Sequence, residues 1–415
     1  MKVAVVGGGL AGLSAAVELV DAGQAVTVLE ARPTLGGAVQ TLPERRGDPE
    51  PPPDNGQHIG LGCFTEYLGF LERIGEGGSF LRTRLGLPVI DENGVSATIE
   101  PSARALLAYR HLTLRDRLRL PITTLRLRSA RSHPSETFGQ LLRRVGESDR
   151  SIDNFWDVFV RPALNLRCDE VDADAGLFTV RTALLGPRGN SDLILPTQPL
   201  GRMHGDAAGR TLEAAGATVQ TDVRVGSLDE VDADAIVVAV PPQESARLLG
   251  DIAEGGAEPE LEDSPIVSVH LWFERQLLEQ PLAALLGSDA HWVFDRGALT
   301  GSRPERGQYL TVVSSGVPEL LEVRGRELVE RIAGQLTERL GEAELLWSRV
   351  SREPYATIAL RPGVRRPGVE TSQPNVARAG SWTDTGWPAT MESAIRSGRR
   401  AAQHILSTAS ATITA

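Results

Sequence analysis

The first 37 residues constrain this chain more than any other stretch. An apolar β-branched run, Val3-Ala4-Val5-Val6, breaks into Gly7-Gly8-Gly9-Leu10-Ala11-Gly12. A small-residue amphipathic segment, Leu13 to Ala22, follows; Gly23 punctuates it, and a second apolar run, Ala25-Val26-Thr27-Val28-Leu29, ends on Glu30. Strand, tight turn, helix, strand and acid together make the βαβ unit that binds dinucleotides. Gly7 permits the turn, Gly9 lets backbone approach a pyrophosphate, and Gly12 lets helix and strand pack closely. The helix N-terminus offers free N–H groups and partial positive charge to phosphates. Glu30 lies 18 positions past Gly12, where a carboxylate accepts hydrogen bonds from ribose hydroxyls. The alternative is an ordinary βα turn without a ligand.

With 415 residues the chain has room for two or three domains and a large core. Its formal net charge of −11 argues against nonspecific nucleic-acid binding. Cys63 and Cys168, the two cysteines, are far apart and in no metal-like spacing, so neither a disulfide framework nor a zinc site is expected. The first strand begins at Lys2, so no signal peptide is expected, and no apolar run approaches the length of a transmembrane helix. A cytoplasmic protein is the expectation.

Along the chain, a short strand is expected at 38–42, then a proline-dense surface loop over 43–53. Glycines 56, 60 and 62 suggest backbone packed on something flat. A helix at 64–74 and a hairpin at 83–100, turning at Glu92-Asn93-Gly94, follow. From 102 to 185 the pattern is mainly helical, with Ser135, Asp153 and Asp172 as helix caps. Within it, 104–131 carries eight arginines, one acid (Asp116) and interleaved leucines. This segment suits peripheral docking on the inner face of an anionic membrane; the alternative is a solvated helix whose leucines face the core. A helix at 201–215, short strands at 216–225 and an apolar strand at 233–240, stopped by Pro241-Pro242, restore the dinucleotide-domain rhythm. Strands at 267–272, 291–294 and 309–313, a helix at 319–340 and a strand at 345–350 suggest a sheet-bearing substrate domain. There Trp272, Trp292 and Phe294 are core or tunnel wall. A strand near 376, a glycine turn and a helix at 395–406 close the chain.

Gly36-Gly37 extends the opening motif to GxGxxG-x17-E-x5-GG. That pattern resembles the FAD signature of the amine oxidase, phytoene desaturase and protoporphyrinogen oxidase superfamily. The resemblance implies an α/β fold: a Rossmann-like FAD-binding domain of the GR2/amine-oxidase type with an inserted α+β substrate domain. The FAD domain would comprise 1–101, 195–250 and 370–415; 102–194 would be a helical, membrane-facing subdomain and 251–369 the sheet-bearing substrate domain. FAD contacts implied are Gly7, Gly9, Leu10, Ala11 and Gly12; Glu30, Ala31 and Arg32; Gly36, Gly37 and Ala38; Gly56; Val225; and Gly380, Ser381, Ala389, Thr390 and Met391 in the C-terminal turn. Flavin amine oxidases typically set a lysine against the flavin; Lys2 is the only lysine here, which counts against amine oxidation.

Asp54-Asn55-Gly56-Gln57-His58, Pro162-Ala163-Leu164-Asn165 and 385–401 narrow the match. Together they resemble hydroxysqualene dehydroxylases, which convert hydroxysqualene to squalene in hopanoid pathways. The resemblance implies a long-chain isoprenoid substrate and possible squalene-pathway partner enzymes. Replacing an allylic hydroxyl by hydrogen needs an acid for the leaving water and a hydride from reduced flavin. His58 is the candidate acid or a structural hydrogen-bonding group, Asp54 its orienting or alternative partner, and Gln57 a group bonding flavin or hydroxyl. Two positions depart from the family pattern: Ala38 stands where an arginine is usual, and Ser381 where an aspartate is usual. Competing readings are a carotenoid or phytoene desaturase, and a flavoprotein-like scaffold without turnover. No second nucleotide motif names the electron donor.

Overall fold

The computed structural model describes residues 1–253 and 260–414. Five parallel strands, β1 (Lys2–Val6), β2 (Ala25–Leu29), β3 (Thr218–Gln220), β4 (Ala235–Val238) and β5 (Val376–Arg378), form a sheet in the order β5-β4-β1-β2-β3. The apolar runs of β1 and β4 are buried because helices cover both faces, as parallel crossovers require. The first helix, Leu10–Asp21, lies against the C-terminal helix, Met391–Thr414. Their backbones touch at Gly398, where an added Cβ would overlap the Ala11 carbonyl, and Ser14 Oγ donates to Ile395 O at 3.0 Å. The strand order reverses at β1, between β2 and β4. A crevice at the carboxyl ends of these strands is the ligand-binding place of such a sheet.

A second sheet has seven strands in the order 345–358, 263–273, 308–315, 292–295, 282–285, 87–90, 96–99. It is antiparallel except where 282–285 runs parallel to 87–90. One face packs on the helix Gly325–Leu340 through Val267, Val269 and Leu271. The other shares a core with the helical segment, in which Leu87, Val89 and Phe294 meet Phe138, Leu141 and Trp156.

Several local expectations are corrected. Residues 38–42 form no strand: Gly36 and Gly37 both have positive φ, the chain turns back through Val39 N to Gly36 O, and only an isolated Thr41–Asp54 bridge remains. The hairpin strands Leu87–Ile90 and Ser96–Ile99 exist, but they extend the seven-stranded sheet, so the 1–101 boundary assigns them to the wrong body. Ser135 has φ +62° and caps nothing; Thr137 caps Phe138–Val145 in a reciprocal box with Gln140. Asp153 lies inside a π turn, and Ser148 is the cap there; Asp172 does cap Ala173–Thr179. The helix expected at 319–340 splits into Pro318–Glu322 and Gly325–Leu340, with φ +55° at Gly325. The last long strand runs on to Ile358.

Candidate cofactor and substrate site

A single cavity of about 920 Å³ opens at the carboxyl ends of β1 and β4 and runs into the space between the two sheets. That is near the top of the ~300–1,000 Å³ range of small-molecule sites. Its first wall is the glycine cradle. Gly7 has φ +108°, and an added Cβ there would overlap the Ala239 carbonyl; one on Gly12 would overlap the Gly7 carbonyl. A Cβ on Gly37 would stand 2.7 Å from Gly9 Cα. These three glycines are required by the protein's own packing. Gly9 is different. It has extended backbone at the helix N-cap, and an added Cβ would meet only Gly37 Cα at 3.6 Å, projecting into open cavity. The protein does not need that glycine; a pyrophosphate against the helix N-terminus would.

Glu30 is buried, with Oε2 accepting from Gly8 N at 2.6 Å and Oε1 from Arg32 N at 2.8 Å. Its carboxylate therefore stands locked beside the cradle. Gly7, Gly9, Leu10, Ala11, Glu30, Ala31, Arg32, Gly36, Gly37 and Ala38 all line the cavity, as do Gly56 and Val225; Gly12 does not. Ala38 brings no charge, but Arg32 Nη1 lies 3.3 Å from Gly37 O, so a guanidinium still stands at the glycine pair.

The opposite wall is the C-terminal turn, where Gly380, Ser381, Ala389, Thr390 and Met391 line the cavity. Gly380 N donates to Ser397 Oγ at 3.0 Å, and Trp382 Nε1 donates to Val240 O at 3.1 Å, fastening the turn to its helix and to the end of β4. Thr390 Oγ1 accepts from Ser393 N, capping the helix that starts at Met391. Glu392 is fully buried and accepts from Tyr67 N at 2.8 Å and from Arg396 Nε at 2.8 Å. The helix N-terminus thus faces the cavity with its dipole aimed inward.

Between these walls runs 54–58. Gly56, Gln57 and His58 line the cavity; Asp54 does not. Asp54 accepts from Thr41 Oγ1 at 2.8 Å and Leu200 N at 2.9 Å, and its Oδ2 stands 2.9 Å from Arg296 Nη2 in an ion pair only 2% and 1% exposed. None of these contacts is made to His58, which corrects the expectation that Asp54 orients that ring. Arg296 also donates from Nη1 to Gln57 Oε1 at 2.8 Å, so one buried guanidinium braces both ends of the loop. His58 is half-buried, its Nδ1 is enclosed and unpartnered among the described residues, and loss of solvent around the ring pulls its pKa down to about 4. At neutral pH the ring is uncharged. Ser268 Oγ, directly under Gly56, is a second buried polar atom without a partner among the described residues.

Beyond the loop the cavity turns apolar. Phe159, Ala163, Phe178, Trp292, Phe294, Val313 and Trp387 form its walls, with Trp292 stacked on Phe294. Trp272 stays out, donating from Nε1 to Arg306 O at the sheet's edge. Asn165 caps Asp157–Leu164 in the left-handed conformation, and its Nδ2 donates to Ser264 O and Pro265 O, tying helical wall to sheet wall.

Two groups here escape a sequence reading. Arg296 is one of many arginines, and nothing local marks it as buried. Glu353 begins an irregular stretch of the long strand, where Pro354-Tyr355-Ala356 bulges against the single Pro265. The bulge turns 353–358 into the cavity. Burial raises the Glu353 carboxyl above its ordinary value, against lowering by hydrogen bonding to Asn55 and by Arg32. A carboxyl so raised, lining the same cavity as the imidazole of His58, is a candidate proton donor to a bound hydroxyl.

The model of the flavin-containing amine oxidoreductases matches residues 10–406. Hydroxysqualene dehydroxylase of Sinorhizobium fredii is 29% identical, over 98% of this chain and 98% of its own. A zeta-carotene desaturase of Arabidopsis thaliana is 25% identical, over 98% of this chain and 85% of its own. Among solved structures, cyclohexylamine oxidase of Brevibacterium oxydans superposes with a TM-score of 0.70 at 18% identity, covering 99% of each chain.

Proposed function

The chain belongs to the flavin-containing amine oxidoreductase family, and from that premise we propose an FAD enzyme that reductively dehydroxylates a long isoprenoid, hydroxysqualene, to squalene. The observation that carries this reading is the continuity of one cavity, with a phosphate cradle at one end and an aromatic and aliphatic chamber at the other. The full-length similarity to hydroxysqualene dehydroxylase supports the substrate.

The residues present fit FAD. The Gly9 cradle and Arg32 would hold the pyrophosphate, Glu30 the ribose, and the Met391 helix N-terminus with Ser381 the flavin half. When bound, FAD supplies the hydride. The chain's own residues do the rest. Arg296 holds Gln57 in place, and Gln57 and neutral His58 hydrogen-bond the substrate hydroxyl. Glu353 donates the proton with which the hydroxyl leaves as water. The aromatic chamber excludes bulk water, which would otherwise capture an allylic cation.

The test is incubation of the purified protein with hydroxysqualene and reduced FAD. Squalene must form. Conversion of a carotenoid to a more desaturated product, without squalene, would favour the desaturase reading that the zeta-carotene desaturase similarity supports. A colourless, FAD-indifferent protein would favour a scaffold.

A further inference from the structure

We propose that the helix Leu114–Ser129 lies flat on an anionic lipid bilayer and holds the cavity wall to which its end is joined against that surface. This deepens the isoprenoid reading by naming the phase from which substrate comes. The argument begins with which side of the helix is buried. At about 100° per residue, Asp116, Leu120, Thr123 and Leu127 fall on one arc, and all four are buried. The opposite arc should be polar in a surface helix. It carries Leu114, Leu118, Ile122 and Leu125, which are 66%, 56%, 51% and 67% exposed. An unbroken apolar stripe on the solvent side is not what a solvated helix needs. Of the leucines in 104–131, Leu112, Leu120 and Leu127 face the core, whereas Leu107, Leu114, Leu118 and Leu125 are exposed.

The charges fit a lipid surface. Arg115, Arg119 and Arg126 flank the stripe on one side, Arg117 and Arg128 on the other. None has a carboxylate within ion-pair distance among the described residues, and the single acid, Asp116, points inward to Thr113 and Ser148. Arg117 and Arg126 donate to the Leu112 and Val145 carbonyls, which fixes their positions without neutralising them. Arg119 lies within electrostatic reach of Asp116, which leaves four arginines without a carboxylate; in a chain of net charge −11, these four framing four exposed aliphatic side chains are complementary to anionic headgroups above acyl chains. The end of the helix is joined to the cavity wall. Arg181 donates from Nε to Leu127 O at 2.9 Å, and its sequence neighbours Val180 and Thr182 line the cavity. No described helix is long and apolar enough to cross a membrane, so the contact is in-plane.

The experiment is co-sedimentation of the FAD-loaded protein with phosphatidylcholine vesicles, with and without phosphatidylglycerol and free of isoprenoid. The protein should pellet with the anionic vesicles, less at high salt. Leu114→Ser, Leu118→Ser and Leu125→Ser combined should lower binding by at least roughly tenfold, and Arg115→Glu with Arg128→Glu by at least roughly tenfold. Wild type remaining in the supernatant overturns the proposal, as does undiminished pelleting of either variant. So does a wild-type dimer that the leucine variant converts to a monomer without vesicle binding, because the stripe is then a self-association face. Squalene formation from detergent-dispersed substrate, measured on the leucine variant, reads turnover separately from docking.

Discussion

Gly9 and Gly12 sit three residues apart in one turn, yet the structure gives them opposite dependencies. An alanine at Gly12 would drive its Cβ into the Gly7 carbonyl, so the first helix must lift from β1. Overpacking of this kind costs about 1–3 kcal/mol or more. An alanine at Gly9 already finds extended backbone, and its methyl meets nothing nearer than Gly37 Cα at 3.6 Å. Its cost to the fold is the poorer N-cap alone, at most about 1 kcal/mol. The same methyl occupies the space where a phosphate would approach the helix N-terminus. Losing one charge-assisted bond there costs about 1.5–3 kcal/mol, or roughly ten- to a hundredfold in affinity. Urea unfolding of the apoproteins, paired with FAD titration followed by flavin fluorescence, separates the two. Gly9→Ala should keep the wild-type urea midpoint nearly intact and lose FAD; Gly12→Ala should lose both. A Gly9→Ala protein that binds FAD as tightly as wild type would refute the assignment of the cradle.

Arg296→Met should cost about 3–5 kcal/mol in urea unfolding, because it strands the Asp54 carboxylate in the core; adding Asp54→Asn should recover much of that, and strict additivity of the two changes would sink the idea. Glu353→Gln should abolish squalene formation while retaining FAD, and the wild-type kcat/KM should fall as pH rises through the raised Glu353 pKa; a flat profile over that range would point to another donor. Burial depresses His58 and His204 to about 4 and His270 to about 3, so the unfolded chain binds more protons than the native one from about pH 6.5 down to those values. Stability is then present above about 6.5 and lost on acidification, by about 1 kcal/mol per pH unit per histidine; a urea midpoint unchanged between pH 7 and 5 would contradict it. Asn165→Ala should loosen the junction between helical wall and sheet and raise KM more than it lowers kcat, and a pure kcat effect would argue otherwise.

The cofactor half is legible in sequence because its determinants are local. Gly7 to Glu30 are consecutive, and each glycine answers to a neighbour in the same turn or to one strand beside it. The pairing of Val89 with Ala284 is another matter: it joins residues almost 200 apart, and no periodicity in 83–100 says which sheet the hairpin will join. Asp54 misled for the converse reason. Four positions from His58, it suggests a dyad, but the chain between them turns the carboxylate toward Thr41, Leu200 and Arg296. Glu353 is hidden by the bulge that makes it useful, since an interrupted strand loses the period of two by which strands are recognised. The leucines of 104–131 were countable, but only the structure assigns them to inward and outward faces.

β1 carries a further consequence, for how the molecule is made. On one edge it pairs with β2, which follows within the first 29 residues, but on the other it pairs with β4, where Val3 meets Ala235. At ~5–20 residues per second, the ribosome needs roughly 10–50 s to supply that second neighbour. Throughout that interval the nascent chain presents an apolar strand with one row of backbone donors and acceptors open, the feature that invites pairing with a stranger. Gly380 and the Met391 helix emerge later still, so FAD cannot rescue the early intermediate by binding it. A chaperone that shelters the first hundred residues, rather than added flavin, is the remedy this topology asks for when the protein is produced in a foreign host.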